Sequence, residues 1–243
     1  SASFETVSMD FIFALPGQTF DDLRRDVDAA FEHGANHVAI YPFIDFPLAA
    51  SGAPPMPRMS KKEKRALLDA ITEHCERKGR VRTSIWTFSS DPKANYSSMT
   101  RENFLGFGCS ATTLLKDRFT INTFSVDAYC DRIASGRLPA SLTLRFTRPQ
   151  RMVYWLFWAA YGMEVDAKAF ERFFGESLEQ AFGLELKLAK LLGFIKERKR
   201  GVYSMTRKGV FHYHCFERFY TLAYIDKMWG IMRKEAFPKR IAL

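Results

Sequence analysis

MDFIFALPGQT, residues 9–19, places one acid inside an apolar run and then turns at once through Pro16-Gly17. Met9, Phe11, Phe13 and Leu15 alternate, and the positions between them are mostly apolar too. That pattern predicts a strand over 7–15 covered on both faces, as in a parallel sheet. A carboxylate buried in such a strand is costly unless donors surround it. Asp10 therefore needs a partner from the fold or from a ligand.

The chain continues in the α/β manner. Thr19-x-x-Asp22 has the form of a capping box, and Leu23, Val27, Ala30 and Phe31 follow at helical spacing up to Gly34. HVAIY, residues 37–41, is the next strand, which completes a βαβ unit with an expected right-handed crossover. Residues 42–59 read as a loop with Pro54, Pro55 and Pro57 close together. Ser60-x-x-Glu63 caps a second helix through Leu67, Leu68, Ile71 and Cys75, closed by Gly79, and VRTSIWTF, residues 81–88, is a further strand. The order β-α-β-loop-α-β predicts a parallel α/β sheet or barrel.

Between Pro139 and Pro149 the texture changes. Residues 150–161 are apolar on nearly all sides and predict a buried helix. Asp166 opens a short helix, 176–192 is an amphipathic one, 194–205 reads as a hairpin with a basic tip at Lys199-Arg200-Gly201, and Thr206 caps a long helix to about Lys234. Helices, a β-wing and a helix make a winged-helix-like order. The expected division is 1–145 and 146–243. Charge supports it: residues 1–144 hold 17 basic and 17 acidic side chains, whereas 145–243 hold 19 and 10. The second part suits an anionic partner or simply a solvated basic surface.

Composition narrows the class. The 243 residues are 47% hydrophobic and 15% aromatic, which excludes a disordered chain. No apolar run reaches membrane-span length and no signal-peptide pattern opens the chain, so a soluble, cytoplasmic protein is expected. Cys75, Cys109, Cys130 and Cys215 are scattered without CxxC spacing, so neither a zinc site nor a disulfide framework is indicated.

Two segments carry candidate chemistry. Parallel α/β units bind ligands at the carboxyl ends of their strands, where Asp10 and the Pro16-Gly17 turn stand. Its carboxylate could accept hydrogen bonds from a ribose or an amino group, or cap backbone amides. In YSSMTRENFLGFGCSAT, residues 96–112, the run Gly106-x-Gly108-x-Ser110-Ala111 lets backbone approach a flat ligand, or packs tightly for its own sake. His212-x-His214-Cys215 offers potential ligands, but only His212 and Cys215 share a helix face, and packed or surface roles are expected. Trp155, Trp158 and Trp229 are expected in the core.

Together these segments resemble the oxygen-independent coproporphyrinogen III oxidase family of radical S-adenosylmethionine proteins. Residues 9–19 are similar to its DLIYGLPGQT segment, and YPFIDFP, residues 41–47, falls at its next strand end. NFLGFGCSA, residues 103–111, is similar to its D-x-L-G-x-G-x-x-A segment, and YCDRIASGRLP, residues 129–139, to the Y-x-x-x-I-x-x-G-x-x-P stretch after it. The resemblance implies a partial βα barrel that binds S-adenosylmethionine and an iron–sulfur cluster. Asp10 would meet the cofactor, Ile44 would offer backbone on its adenine side, Thr112 a further backbone contact, and Gly106 and Gly108 the close approach. The family's CxxxCxxC motif is absent from this chain. The expectation is the carboxy-terminal part of a longer enzyme, partnered by the missing amino-terminal half of the barrel and making no radical alone.

The implied substrate is a tetrapyrrole, by oxidative decarboxylation of propionates in haem biosynthesis. Relatives in the same family act as a haem carrier or a haem-opening methyltransferase, and the YSMT-like segment and the Trp86-x-Phe88 strand lean towards the haem-utilisation relatives. The basic run at 196–200 could meet the carboxylates of such a substrate. A haem- or porphyrin-binding module without radical chemistry is a further reading. A winged-helix nucleic-acid module is another, opposed by Glu176, Glu179 and Glu185 on the helix that would face phosphate.

Overall fold

The computed structural model describes residues 4–44, 58–91 and 102–239. The segment 9–19 forms strand β1, Ser8–Phe13, and then a turn in which Gln18 N–H donates to the Leu15 carbonyl at 3.1 Å and Gly17 takes φ +76°. β1 pairs in parallel with β2, His37–Pro42, from Ser8↔His37 to Phe13↔Pro42. Helix α1, Phe20–Glu32, joins them, with the Thr19–Asp22 capping box formed and Leu23, Val27 and Ala30 buried. Helix α2, Lys61–Arg77, is capped by Ser60 and Glu63 as expected, and its His74 Nε2 meets Asp28 Oδ1 of α1 at 2.7 Å. The proline-rich residues 45–57 lie outside the described residues.

The stretch 81–88 departs from the expected single strand. It divides into β3, Val81–Arg82, and β4, Thr87–Ser89, which pair antiparallel around a turn. The Thr83 amide donates to the Thr87 carbonyl at 2.9 Å, and the Ser84 and Thr87 hydroxyls meet at 2.6 Å. These local bonds reverse the chain, so β4 lies antiparallel on β2. The sheet is therefore mixed, in the order β1-β2-β4-β3, rather than wholly parallel. The turn places Ile85 and Trp86 fully inside the core.

A second, antiparallel sheet holds β5, Thr112–Leu115, β6, Arg118–Asn122, and β7, Ala140–Arg145, with helix α3, Val126–Ala134, between the last two. Then follow α4, Arg148–Tyr161; β8, Glu164–Asp166; α5, Ala167–Phe174; α6, Leu178–Leu191; β9, Ile195–Lys199; β10, Val202–Met205; and α7, Arg207–Tyr220. The expected hairpin is β9–β10, and β8 adds a third strand in the order β8-β10-β9. The expected final helix continues past α7 through a π-helical turn, Thr221–Ile225, into α8, Asp226–Lys234. Among the described residues no helix is long and apolar enough to cross a membrane.

α4 is less buried than its composition predicts. Only Arg151, Met152 and Tyr161 are buried, and Val153 is 57% exposed. The helix lies between two cores instead of inside one. Phe157, Trp158 and Tyr161 pack with Phe13, Ile40 and Trp86 of the first sheet, while Met152, Trp155 and Leu156 pack with Val165, Phe170 and Leu178. Val210 and Tyr213 of α7 join the first core, so that core draws on both sides of residue 145. Met228 and Met232 of α8 cover Ile121 of the second sheet.

Arg151 fastens α4 to the second sheet. Its Nε donates to the Lys116 carbonyl and its Nη2 to the Glu102 carbonyl, both at 2.7 Å, and it lies over the Tyr154 and Phe173 rings. Arg151→Met keeps the stem and removes the donors. It should cost about 2–4 kcal/mol in urea unfolding at unchanged slope, and a loss below about 0.5 kcal/mol would deny the anchor.

Candidate functional site

The carboxyl ends of β1 and β2 lie side by side, and the Phe43 amide extends the pairing by donating to the Phe13 carbonyl at 2.7 Å. Asp10 sits in β1 but is exposed, which corrects the expectation of a buried acid. β1 is the edge strand of its sheet, and while Met9, Phe11 and Phe13 face the core, the alternate residue Ile12 is 52% exposed. The Asp10 carboxylate makes no hydrogen bond among the described residues. Its charge opposes the burial that lowers the pKa of His37 on the neighbouring strand. Ile44 stands two residues past the end of β2 and is half-buried. Residues 45–47 of the YPFIDFP segment lie outside the described residues.

Thr112 opens β5 of the second sheet, and Gly106 and Gly108 lie in the loop that leads into it. A Cβ on Gly106 would come within 2.2 Å of the Thr112 carbonyl oxygen, so only glycine fits. Gly108 takes φ +97°, receives a bond on its carbonyl from Asn122 Nδ2 at 2.9 Å, and donates its amide to the Tyr129 hydroxyl at 3.1 Å. Both glycines thus have reasons in the backbone itself. Phe107 between them is 85% exposed. The five residues marked by the sequence fall into two groups, Asp10 and Ile44 in and just after the strands of the first sheet and Gly106, Gly108 and Thr112 at the start of the second. Residues 96–101 lie outside the described residues.

Behind the β1–β2 pair stands a polar cluster that the sequence did not announce. Trp86 is fully buried, and its Nε1 donates to Glu217 Oε2 of α7 at 3.0 Å. Burial pushes the Glu217 carboxyl up to about 7, against the pull of that bond. The His214 ring meets Trp86 edge-on at 4.9 Å. Burial, then the charges of Lys64, Arg218 and Lys61, push His214 down to about 4, so it is neutral. Burial likewise raises the Tyr161 and Tyr213 phenols. In front of this cluster is a shallow pocket lined by Ala14, Pro16, Phe43, Arg58, Met59, Lys64 and Arg218. The i,i+3 and i,i+4 spacing of His214, Glu217 and Arg218 was readable as one helix face. Their meeting with Trp86 and Lys64 was not.

His212 is exposed and stacks on Phe194 at 4.7 Å, apart from His214. Among the described residues no group of three or more His, Cys, Asp or Glu side chains is placed to hold a metal ion, and all four cysteines are free.

Two substitutions test these arrangements. Gly106→Ala should destabilise the protein by about 2 kcal/mol or more, while Phe107→Ala at the exposed tip should stay within about 0.5 kcal/mol. Glu217 has a folded pKa of about 7 above its ordinary 4.5, so the folded state holds its proton more tightly. The stability this contributes is complete below 4.5 and is lost as pH rises through about 7. A glutamine amide in its place would not titrate, and its oxygen still accepts from the Trp86 indole. Glu217→Gln should match the parent near about pH 4 and exceed it by up to about 3 kcal/mol near about pH 8, read by urea unfolding.

No family model matches the chain. In sequence it is 26% identical over 216 residues to the haem chaperone HemW of Bacillus subtilis (strain 168), covering 85% of this chain and 56% of that protein. In structure it is similar to the coproporphyrinogen III oxidase HemN of Escherichia coli, described as a radical SAM enzyme. The TM-score is 0.66 at 16% sequence identity, covering 88% of this chain and 55% of that one. The chain therefore spans just over half the length of either relative. The resemblance read from the sequence is borne out: over more than four-fifths of its length, this chain is similar to the carboxy-terminal part of proteins of the oxygen-independent coproporphyrinogen III oxidase family.

Proposed function

We propose that this chain is the carboxy-terminal part of a radical S-adenosylmethionine protein that handles a tetrapyrrole. One observation carries the reading: the same stretch of chain is similar to a haem chaperone in sequence and to a coproporphyrinogen III oxidase in fold. A tetrapyrrole is the ligand chemistry common to both names. On this reading residues 1–145 contribute strands to an incomplete βα barrel, with the edge of β1 open to the rest of the protein, and 146–243 form a winged-helix-like unit.

Asp10 fits a cofactor contact. Its carboxylate stands outward on β1 without a hydrogen bond among the described residues, and it can accept from ribose hydroxyls or an amino group. Ile44 and Thr112 would offer backbone. For Gly106 and Gly108 the support is the resemblance alone, since local geometry already accounts for them. S-adenosylmethionine, when bound, would supply the radical chemistry. The described residues do not fit an iron–sulfur cluster, and its ligands would come from elsewhere in the protein.

Two activities divide the reading. Haem carriage is favoured by the match to a haem chaperone across 85% of the chain. Oxidative decarboxylation of propionates is favoured by the fold match. Nucleic-acid binding has less support, because Glu179 of α6 accepts from the Tyr203 hydroxyl beside the wing and keeps an acid there.

Haem and coproporphyrin III titrated into the chain should each give a saturable Soret shift with quenching of tryptophan fluorescence. A flat titration with both would overturn the tetrapyrrole reading. Turnover of coproporphyrinogen III by the whole protein, against haem binding without turnover, separates the two activities.

A further inference from the structure

The shallow pocket at the carboxyl ends of β1 and β2 has an apolar wall of Ala14, Pro16, Phe43 and Met59. Three elements bring cations to it: Arg58 from the segment before α2, Lys64 from the first turns of α2, and Arg218 from α7. Lys64 Nζ donates to the Phe43 carbonyl at 3.4 Å, a neutral acceptor. Among the described residues no carboxylate pairs with Lys64 or Arg218. The acid next to Arg218 in the chain, Glu217, is turned to the Trp86 indole, and its carboxyl is pushed up to about 7. His214 behind the pocket is neutral and adds no charge.

Like charges gathered around one pocket repel, and the effect shows at Lys64, which is half-buried while Arg58 and Arg218 are exposed. Burial lowers its pKa, and Arg218 and then Arg58 lower it further. Folding holds these cations together without a protein carboxylate between Lys64 and Arg218, so an anion arriving from outside meets a preformed field. The place is also where a parallel strand pair presents its carboxyl ends, the usual side for ligands in α/β sheets. None of the seven lining residues is one that the resemblance marks as a cofactor contact.

We propose that this pocket binds the carboxylate of an alkyl acid, its oxygens held by Lys64 and Arg218 with Arg58 beside them and its methylenes laid on the Ala14, Pro16, Phe43 and Met59 wall. A phosphate would suit the cations equally but would leave the apolar wall without a partner. On the reading given under Proposed function, the acid is a tetrapyrrole propionate. That identification rests on that reading, and the pocket's preference for a carboxylate does not.

Competitive acetylation of the full chain at constant ionic strength tests the proposal, with Lys64 followed by peptide mass spectrometry and the exposed Lys187 as internal reference. Butyrate should slow Lys64 labelling several-fold at saturation and leave Lys187 unchanged, and butyramide should do nothing. Arg218→Met should abolish most of that protection, and Arg218→Lys should restore part of it. No protection by butyrate, or equal protection by butyramide, overturns the site. Protection by inorganic phosphate without butyrate overturns the carboxylate assignment. Protection by butyrate but not by coproporphyrin III leaves the pocket standing and overturns the tetrapyrrole reading.

Discussion

A buried indole must place its one N–H on an acceptor, and Trp86 places it on Glu217. That single bond spans 131 positions of sequence. It joins the first sheet to α7 and draws a carboxyl group into the core, where burial raises its pKa. The Ile85 amide adds to the tie by donating to the Tyr161 carbonyl at the end of α4, at 2.9 Å. Because the β3–β4 turn delivers Ile85 and Trp86 inward, the helices of the second half close over the sheet of the first. The core that results includes Phe13, Ile40, Tyr161, Val210 and Tyr213.

This docking makes the cationic pocket. Lys64 comes with α2, Arg58 with the segment before it and Arg218 with α7, and they meet because α7 is drawn onto Trp86. The same contact keeps Glu217 from neutralising Arg218. A device that satisfies an indole in the core thus leaves Lys64 and Arg218 without a carboxylate among the described residues, beside the carboxyl ends of the parallel strands. Asp10 lies on the same strand pair with the opposite charge. One edge of the molecule therefore offers an acceptor for hydroxyl or amino groups and a receptor for acids, a combination suited to a ligand with both polar character and carboxylate arms.

Much of the fold was legible. Thr19–Asp22 and Ser60–Glu63 closed their capping boxes where the sequence put them, Gly34 took a positive φ after α1, and the 194–205 hairpin turned at its basic tip. These are local decisions, set by side chains within a few residues of the backbone they satisfy. The candidate site was legible in part. Asp10 and Ile44 stand at the strand pair expected of them, but Asp10 is exposed because β1 is an edge strand, and a strand's place in a sheet is not written in its own residues. The VRTSIWTF stretch has strand composition throughout, and the Ser84–Thr87 bond that breaks it gave no warning in the pattern. Gly106 and Gly108 were readable as needing to be glycine, while the reason for Gly106 is the Thr112 carbonyl pressed against it.

By itself the sequence determined the β-α-β-α order of the first eighty residues, the helix caps, the unequal distribution of charge and the resemblance that points to tetrapyrrole chemistry. All of these reside in spacing along the chain. Only the tertiary structure decided that β4 runs antiparallel, that α4 serves two cores at once, that Glu217 is held by an indole, and that Lys64 and Arg218 face one pocket. Each of those depends on side chains far apart in sequence competing for the same buried space and the same hydrogen bonds. The free energies of burial and charge are set by neighbours, and the neighbours exist only after the chain has folded.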